Sequence, residues 1–363
     1  MRHPLTKSVL VATLLMGVLA ACSAPKTEAP AVEKPTEPAV EEAPTTKDLG
    51  EPIPVRVGWQ PYNSVLYYTA VGLDLWSECG LDAELTKFTA GPPQFAAIES
   101  ESTDVNLFGT AAMVWGLSQG LDMVNFYIQI ESSYNDGLVV NPEAGIETVK
   151  DLAGKNVTFV RGSSAHLGLV RTLEANGMTI DDVNVITIEV PSLVPAFIAG
   201  DIDAAYSWEP WISRMEEAGG VVISRTNEVG LYTSDNWTVR RKWAEENPEG
   251  MRRVFCVIDK ADAAYAEDPS IGVSTFAEET GITEETAAKI LALTPIVSLD
   301  DAADPNFELS FTNPAGAQAM VQEVIDFLFV DQELLPSQPD ASVVVDGSYL
   351  LDYMKNRSDY IGG

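Results

Sequence analysis

The sequence predicts an α/β fold of two lobes with a cleft between them, and three observations predict it. From Pro54 onward, short apolar strand-length runs alternate with helix-length segments, the signature of a mostly parallel sheet covered by helices. The same alternation starts afresh near Gly145 as a second unit. Beyond about Trp237 the pattern is nearly all helical, a tail that has to pack on one of the units.

The first fifty residues read as address and tether. Arg2 and Lys7 form a positive stretch before an apolar run over 8–20, shorter than the roughly 18 residues a bilayer span requires and suited to a signal segment. It ends in Leu19-Ala20-Ala21-Cys22, which resembles a bacterial lipobox with Cys22 as the lipidated residue; the competing reading is an ordinary signal peptide with an incidental cysteine. Residues 1–21 are therefore expected as signal peptide and 22–52 as lipidated cysteine and linker. Pro25, Pro30, Pro35, Pro38 and Pro44 punctuate that linker, whose composition buries no core and keeps the chain extended.

In the globular part, 55–57 reads as a strand, 65–78 as a helix, 83–88 as a strand and 92–101 as a helix opened by Pro92-Pro93. A strand over 105–108 leads through Gly109-Thr110 into a helix closed by Gly120. The second unit reads as strands over 156–160, 185–188, 203–206 and 221–224, with helices over 164–176, 192–199 and 210–218. Tail helices are expected over 248–266, 269–279, 283–293, 313–330 and 349–355. The expected partition is 53–142 for the first lobe, 143–236 for the second, and 237–363 for the return to the first lobe with the C-terminal helices.

Composition excludes several functions. Of 363 residues 46% are hydrophobic, enough for a folded core, and 54 Asp and Glu against 22 Lys and Arg give a net charge of −32. Such a surface repels phosphate backbones, so no nucleic-acid partner is expected. Two histidines, His3 and His166, exclude a multi-histidine metal site, and three cysteines exclude a cysteine-rich zinc fold. Neither metal nor cofactor is expected.

Ligands of open α/β sheets sit at strand carboxyl ends, where helix N-termini point. The cleft is therefore expected to be lined by 60–64, 89–93, 109–112, 162–166, 191–192 and 208–211. Gly91, Gly109 and Gly162 let backbone approach a ligand, while Thr110, Ser163 and Ser164 add hydroxyls to helix-start N–H groups, a set suited to a small anion. Thr110 and Ser164 read equally as plain N-caps. In Ser207-Trp208-Glu209-Pro210-Trp211, Trp208 is a candidate wall, and Glu209 is either an acceptor for a ligand donor or a cap. Asp235 is either a partner for a cationic group or a turn residue. His166, in the first turn of its helix, completes the candidates on that loop, with no serine-base-acid arrangement legible around it.

Several of these segments resemble one family. Arg161-Gly162-Ser163-Ser164-Ala165-His166, with Leu169-Val170-Arg171-Thr172-Leu173-Glu174 and Gly177, is similar to a segment of taurine- and aliphatic-sulfonate-binding receptors of ABC importers, within the NMT1/THI5-like family. Ala196-Phe197-Ile198-Ala199-Gly200-Asp201-Ile202-Asp203-Ala204, Trp208-Glu209-Pro210-Trp211 and Thr233-Ser234-Asp235-Asn236-Trp237-Thr238-Val239-Arg240 resemble further signatures of those receptors.

The resemblance implies the type II periplasmic binding protein fold, with C-terminal helices returned to the first lobe. It implies sulfonate oxygens held at helix starts by Thr110, Ala111, Ser163 and Ser164, and an ammonium paired with Asp235. Gln60, Tyr62, Gly91, Pro92, His166, Trp208 and Glu209 complete the expected ligand set. Gly91-Pro92-Pro93 and Tyr62 depart from the commoner family residues at those places. The implied protein is a monomeric, non-enzymatic receptor tethered to the membrane by lipid, which delivers a small organic sulfonate, taurine first, to an ABC permease. The alternatives are nitrate or an aromatic carboxylate as ligand, or an enzyme on the same fold, sulfinate desulfinase-like or pyrimidine synthase-like, which would need a cleft cysteine. Once the tail returns, Cys79 and Cys256 share the first lobe, as one disulfide or as two buried thiols.

Overall fold

The computed structural model describes residues 48–361. The expected signal segment, Cys22 and nearly all of the linker lie outside the described residues.

The first lobe runs β1 (Ile53–Trp59), α1 (Val65–Gly72), α2 (Leu75–Glu78), β2 (Leu81–Lys87), α3 (Phe95–Glu99), β3 (Val105–Gly109), α4 (Thr110–Ser118) and β4 (Met123–Glu131). The second runs β5 (Asp136–Val140), β6 (Asn156–Thr158), α5 (Ser164–Ala175), β7 (Asn184–Ile186), α6 (Leu193–Ala199), β8 (Ala204–Trp208), α7 (Trp211–Glu217) and β9 (Val221–Arg225). β10 (Ser234–Arg240) then rejoins the first sheet. The sheet orders are β2-β1-β3-β10-β4 and β7-β6-β8-β5-β9.

In each sheet one strand opposes the rest: β10 is antiparallel to β3 and β4, and β5 is antiparallel to β8 and β9. These are the two strands that have just crossed between lobes. The crossovers lie at 132–135 and 226–233, a few residues before the lobe boundaries expected at 142 and 236. The reason is that β4, β5 and β10 do not carry a strand-like alternation. β4 is buried on both faces and includes the polar Asn125 and Gln129. β10 is buried along its whole length although it contains Ser234, Asp235, Asn236 and Thr238. Those polar groups are satisfied laterally: Asn125 donates to Asn236 Oδ1 at 2.8 Å, and Thr238 to the Asn106 carbonyl at 3.0 Å. The helix expected over 65–78 is broken where Asp74 takes φ 53°.

The tail comprises α8 (Arg241–Glu246), α9 (Pro248–Glu267), α10 (Ser270–Thr280), α11 (Glu284–Ala292), α12 (Leu299–Ala303), α13 (Ala317–Asp326), α14 (Ala341–Val344), α15 (Ser348–Asn356) and α16 (Ser358–Ile361). It packs on the first lobe: α9 and α10 lie on α1, α13 on α4, and α14 and α15 on β4. Phe255 of α9 meets Phe126 of β4 edge-on and stacks on Tyr353 of α15. A disulfide joins Cys79 to Cys256, with Cα atoms 6.0 Å apart, fastening α9 to the end of α2. Both thiols are therefore consumed far along the first lobe from the strand ends that face the second.

Candidate ligand-binding cleft

The helix starts of the two lobes converge. Gly109 opens α4 and Ser163 opens α5, and a Cβ added to Gly109 would lie 3.8 Å from Ser164 across the cleft. Gly91 packs so tightly on α4 that a Cβ there would stand 2.7 Å from Ala112 Cβ, which explains the glycine. Gly162 has φ +72°, and a Cβ added there would stand 3.3 Å from the Trp115 ring of the other lobe, a left-handed turn and a close approach together.

Between them is a small cavity walled by the described residues Gln60, Tyr62, Asn63, Gly91, Gly109, Ala112, Ser132, Asp136, Ser163, Ser164, Trp208 and Asp235. Seven of the twelve expected ligand residues meet here: Gln60, Tyr62, Gly91, Ser163, Ser164, Trp208 and Asp235. Five do not line it. The Thr110 hydroxyl is taken by β10, accepting from the Ser234 amide and from Asn236 Nδ2 at 3.1 Å each. Ala111 is fully buried behind the helix start. Pro92 packs against Gly162 at the lobe contact. His166 is stacked on Phe159 at 4.7 Å and packed against Trp115 at 5.2 Å, with Nδ1 accepting from the Gly162 amide at 3.4 Å. Burial and the nearby Arg161 push its pKa down to about 4, so it is a neutral packing ring. Glu209 caps α7, accepting from Ser213 N at 3.0 Å and Ser213 Oγ at 2.8 Å.

Ser132 and Asp136 lie outside every loop assigned to the cleft from sequence. They sit in Glu131-Ser132-Ser133-Tyr134-Asn135-Asp136-Gly137, whose turn-like composition masks a lobe crossover and a strand start. The signal that finds Asp136 is its symmetry with Asp235. Each stands at the start of a strand that has just crossed between lobes, Asp136 paired in register with Trp208 and Asp235 with Gly109.

The cavity is polar and under-satisfied. Gln60 Oε1, Tyr62 OH, Asn63 Nδ2, Trp208 Nε1, Asp136 Oδ2 and Asp235 Oδ2 are buried without a partner. Ser163 spends its hydroxyl on the Val160 carbonyl at 2.7 Å. The first N–H groups of α4 and α5 have no intrahelical partner and end at this wall. Burial pushes the Asp235 carboxyl well up, with Asp136 and then Glu131 adding to it and Ser132 opposing. Burial pushes Asp136 up to about 7, opposed first by the Ser164 hydroxyl, with Glu131 and Glu209 raising it and Arg225 lowering it. The described wall contains no Lys, Arg or His. Unpaired buried polar groups are costly, so this arrangement is built to be completed by a small molecule bearing both acceptors and donors.

Fold and cleft together define a two-lobed solute-binding protein. The chain belongs to the NMT1/THI5-like family, whose model matches residues 62–271. It is 25% identical over 286 residues to a protein of Bacillus subtilis (strain 168) named as an aliphatic sulfonates-binding protein, covering 78% of this chain and 82% of that one. It is 26% identical over 216 residues to the taurine-binding periplasmic protein of Escherichia coli (strain K12), covering 57% and 67%. Among solved structures, the alkanesulfonate-binding protein SsuA from Xanthomonas axonopodis pv. citri, bound to MOPS, superposes with a TM-score of 0.68 at 23% identity, over 80% of this chain and 97% of that one. The desulfurization enzyme DSZB shares the fold at a TM-score of 0.62 and 16% identity, over 84% and 99%. The two-lobed fold expected from the sequence, with its helical tail on the first lobe, is the one observed.

Proposed function

We propose that this protein is the extracytoplasmic receptor of an ABC importer and that its ligand is a small aminosulfonate, taurine being the first candidate. One observation carries the ligand class: Asp235, 4% exposed with Oδ2 unpartnered, lines the same small cavity as the donor-bearing helix starts. A sulfonate takes the N–H groups of α4 and α5 with Tyr62, Asn63 and Trp208 as further donors, and an ammonium takes Asp235. The relatives named as taurine-binding and aliphatic sulfonates-binding proteins support the same reading.

Binding both lobes at once stabilises the closed state, which is the form presented to the permease. Lipidation at Cys22 would hold the receptor at the outer face of the membrane as a monomer on its linker. No helix among the described residues is long and apolar enough to cross a membrane. The enzyme reading on this fold loses support because Cys79 and Cys256 are paired with each other outside the cavity.

Isothermal titration with taurine, an alkanesulfonate, nitrate and an aromatic carboxylate tests the ligand. Taurine binding tightest is the expected result, and nitrate or the aromatic acid binding tightest refutes it. Cys22→Ser is expected to release the protein from membranes with its ligand affinity unchanged; continued membrane retention refutes the anchor.

A further inference from the structure

Asp235 accounts for one ammonium partner, but the cavity contains a second carboxylate, from the other lobe. Asp136 is 3% exposed and Asp235 4%, each with Oδ2 buried and unpartnered. Asp136 is the charged group that acts most strongly on Asp235. One is fixed to the second sheet beside Trp208, the other to the first sheet beside Gly109, so the two carboxylates belong to different lobes and share one cavity. None of the described wall residues supplies a positive charge between them. Where both are ionised, two buried carboxylates with no counter-ion in the wall oppose closure, and a ligand ammonium seated between them reverses the sign of that contribution.

We propose that Asp136 and Asp235 form an electrostatic lock across the lobes, which makes a positive charge on the ligand a requirement for closure and excludes plain anions. The proposal rests on the reading of this cavity as the ligand site, not on the sulfonate. The lock gives the cleft a selectivity that helix-start donors cannot provide, because those donors accept taurine, an alkanesulfonate and nitrate alike. Asp136 acts as a specificity-determining residue, and its position beside Ser164 keeps a negative charge next to the α5 helix start. An uncompensated sulfonate is repelled there. The charged groups facing the pair are Glu131, Glu209 and Arg225, and the phenol of Tyr62 also lies in the field of Asp235.

The test compares wild type with Asp136→Asn and with the Asp136→Asn/Asp235→Asn double variant, each first checked for fold by circular dichroism. Titrants are taurine, ethanesulfonate, β-alanine and ethylammonium at pH 8. Wild type is expected to prefer taurine to ethanesulfonate by at least tenfold. In Asp136→Asn that ratio is expected to shrink at least fivefold, with ethanesulfonate gaining affinity. An unchanged ratio overturns the lock and makes Asp136 a neutral donor to the ligand. If neither sulfonate binds while Asp136→Asn weakens β-alanine or ethylammonium, the sulfonate reading fails and the lock stands. A ligand-free arm closes the test: small-angle scattering at pH 8 is expected to show the empty double variant more compact than empty wild type. Identical scattering curves overturn the lock whatever the titrations give.

Discussion

The amide of Ser132 donates to the carbonyl of Thr233 at 2.8 Å, tying the two interlobe crossovers side by side. Their hydroxyls also meet, at 3.2 Å. Each crossover then delivers an aspartate into the cavity within four residues, Asp136 and Asp235. The hinge and the polar heart of the site are one structural unit, so any charge that settles between the aspartates acts where the lobes pivot.

The carboxylates make binding pH-dependent in a definite direction. A ligand ammonium favours the ionised forms, whereas the empty cleft raises Asp136 to about 7 and pushes Asp235 up as well. Taurine binding is therefore expected to release protons, with an affinity that rises from pH 5 to pH 8. For the empty protein the sign is opposite. Groups whose folded pKa is raised favour the fold most below their unfolded value, near 4, and that benefit is lost as pH climbs through about 7. Melting followed with and without taurine across this range is expected to show the ligand-induced rise in Tm growing with pH. A rise that shrinks with pH contradicts the assignment.

Thr110 and Ser164 look alike in the sequence, each a hydroxyl at a helix start, and the structure separates them. Thr110 is bonded into β10, whereas Ser164 faces the cavity beside Asp136. Thr110→Val strands the buried polar groups it serves and is expected to lower stability by about 1–3 kcal/mol in denaturant unfolding. Taurine affinity is expected to stay within about threefold of wild type, since the hydroxyl does not touch the cavity. Ser164→Ala is expected to reverse the pattern, with little stability change and weaker taurine binding by titration.

The disulfide fastens the tail to the first lobe and leaves the cavity alone. Replacing Cys79 and Cys256 by serine removes a cross-link between residues 177 apart. Chemical unfolding is expected to show a loss of about 2–5 kcal/mol. Taurine affinity of the folded variant is expected to be unchanged, because neither cysteine lines the cleft.

Glu209 offers a sharp control. It is as buried as Asp235, but its carboxylate is satisfied by Ser213 as a helix cap. Glu209→Gln is expected to lower Tm by a few degrees, while Asp235→Asn weakens taurine at least about tenfold, as loss of a charge-assisted hydrogen bond implies.

Much of the fold was legible because the parallel strands and their helices carry ordinary periodicities, and the tail helices have clear starts such as Pro248 and stops such as Gly281. What was hidden follows from burial. β4, β5 and β10 lie mid-sheet or beside a crossover, buried on both faces, so no apolar–polar alternation marks them. At the site, glycine-rich helix starts and the Trp208 and Asp235 motifs pointed to loops that line the cavity. The sequence could not separate hydroxyls facing inward from hydroxyls bonded to a neighbouring strand, because that depends on β10 lying against β3. Asp136 stayed hidden for the same reason as β5.

A crystal structure of the protein with taurine tests the central claim most directly. The account predicts one molecule in the cavity, its nitrogen between the carboxylates of Asp136 and Asp235 and its sulfonate oxygens on the helix starts at Gly109 and Ser163. Taurine found in the opposite orientation, with the sulfonate against the two aspartates, or bound outside this cavity, would contradict it.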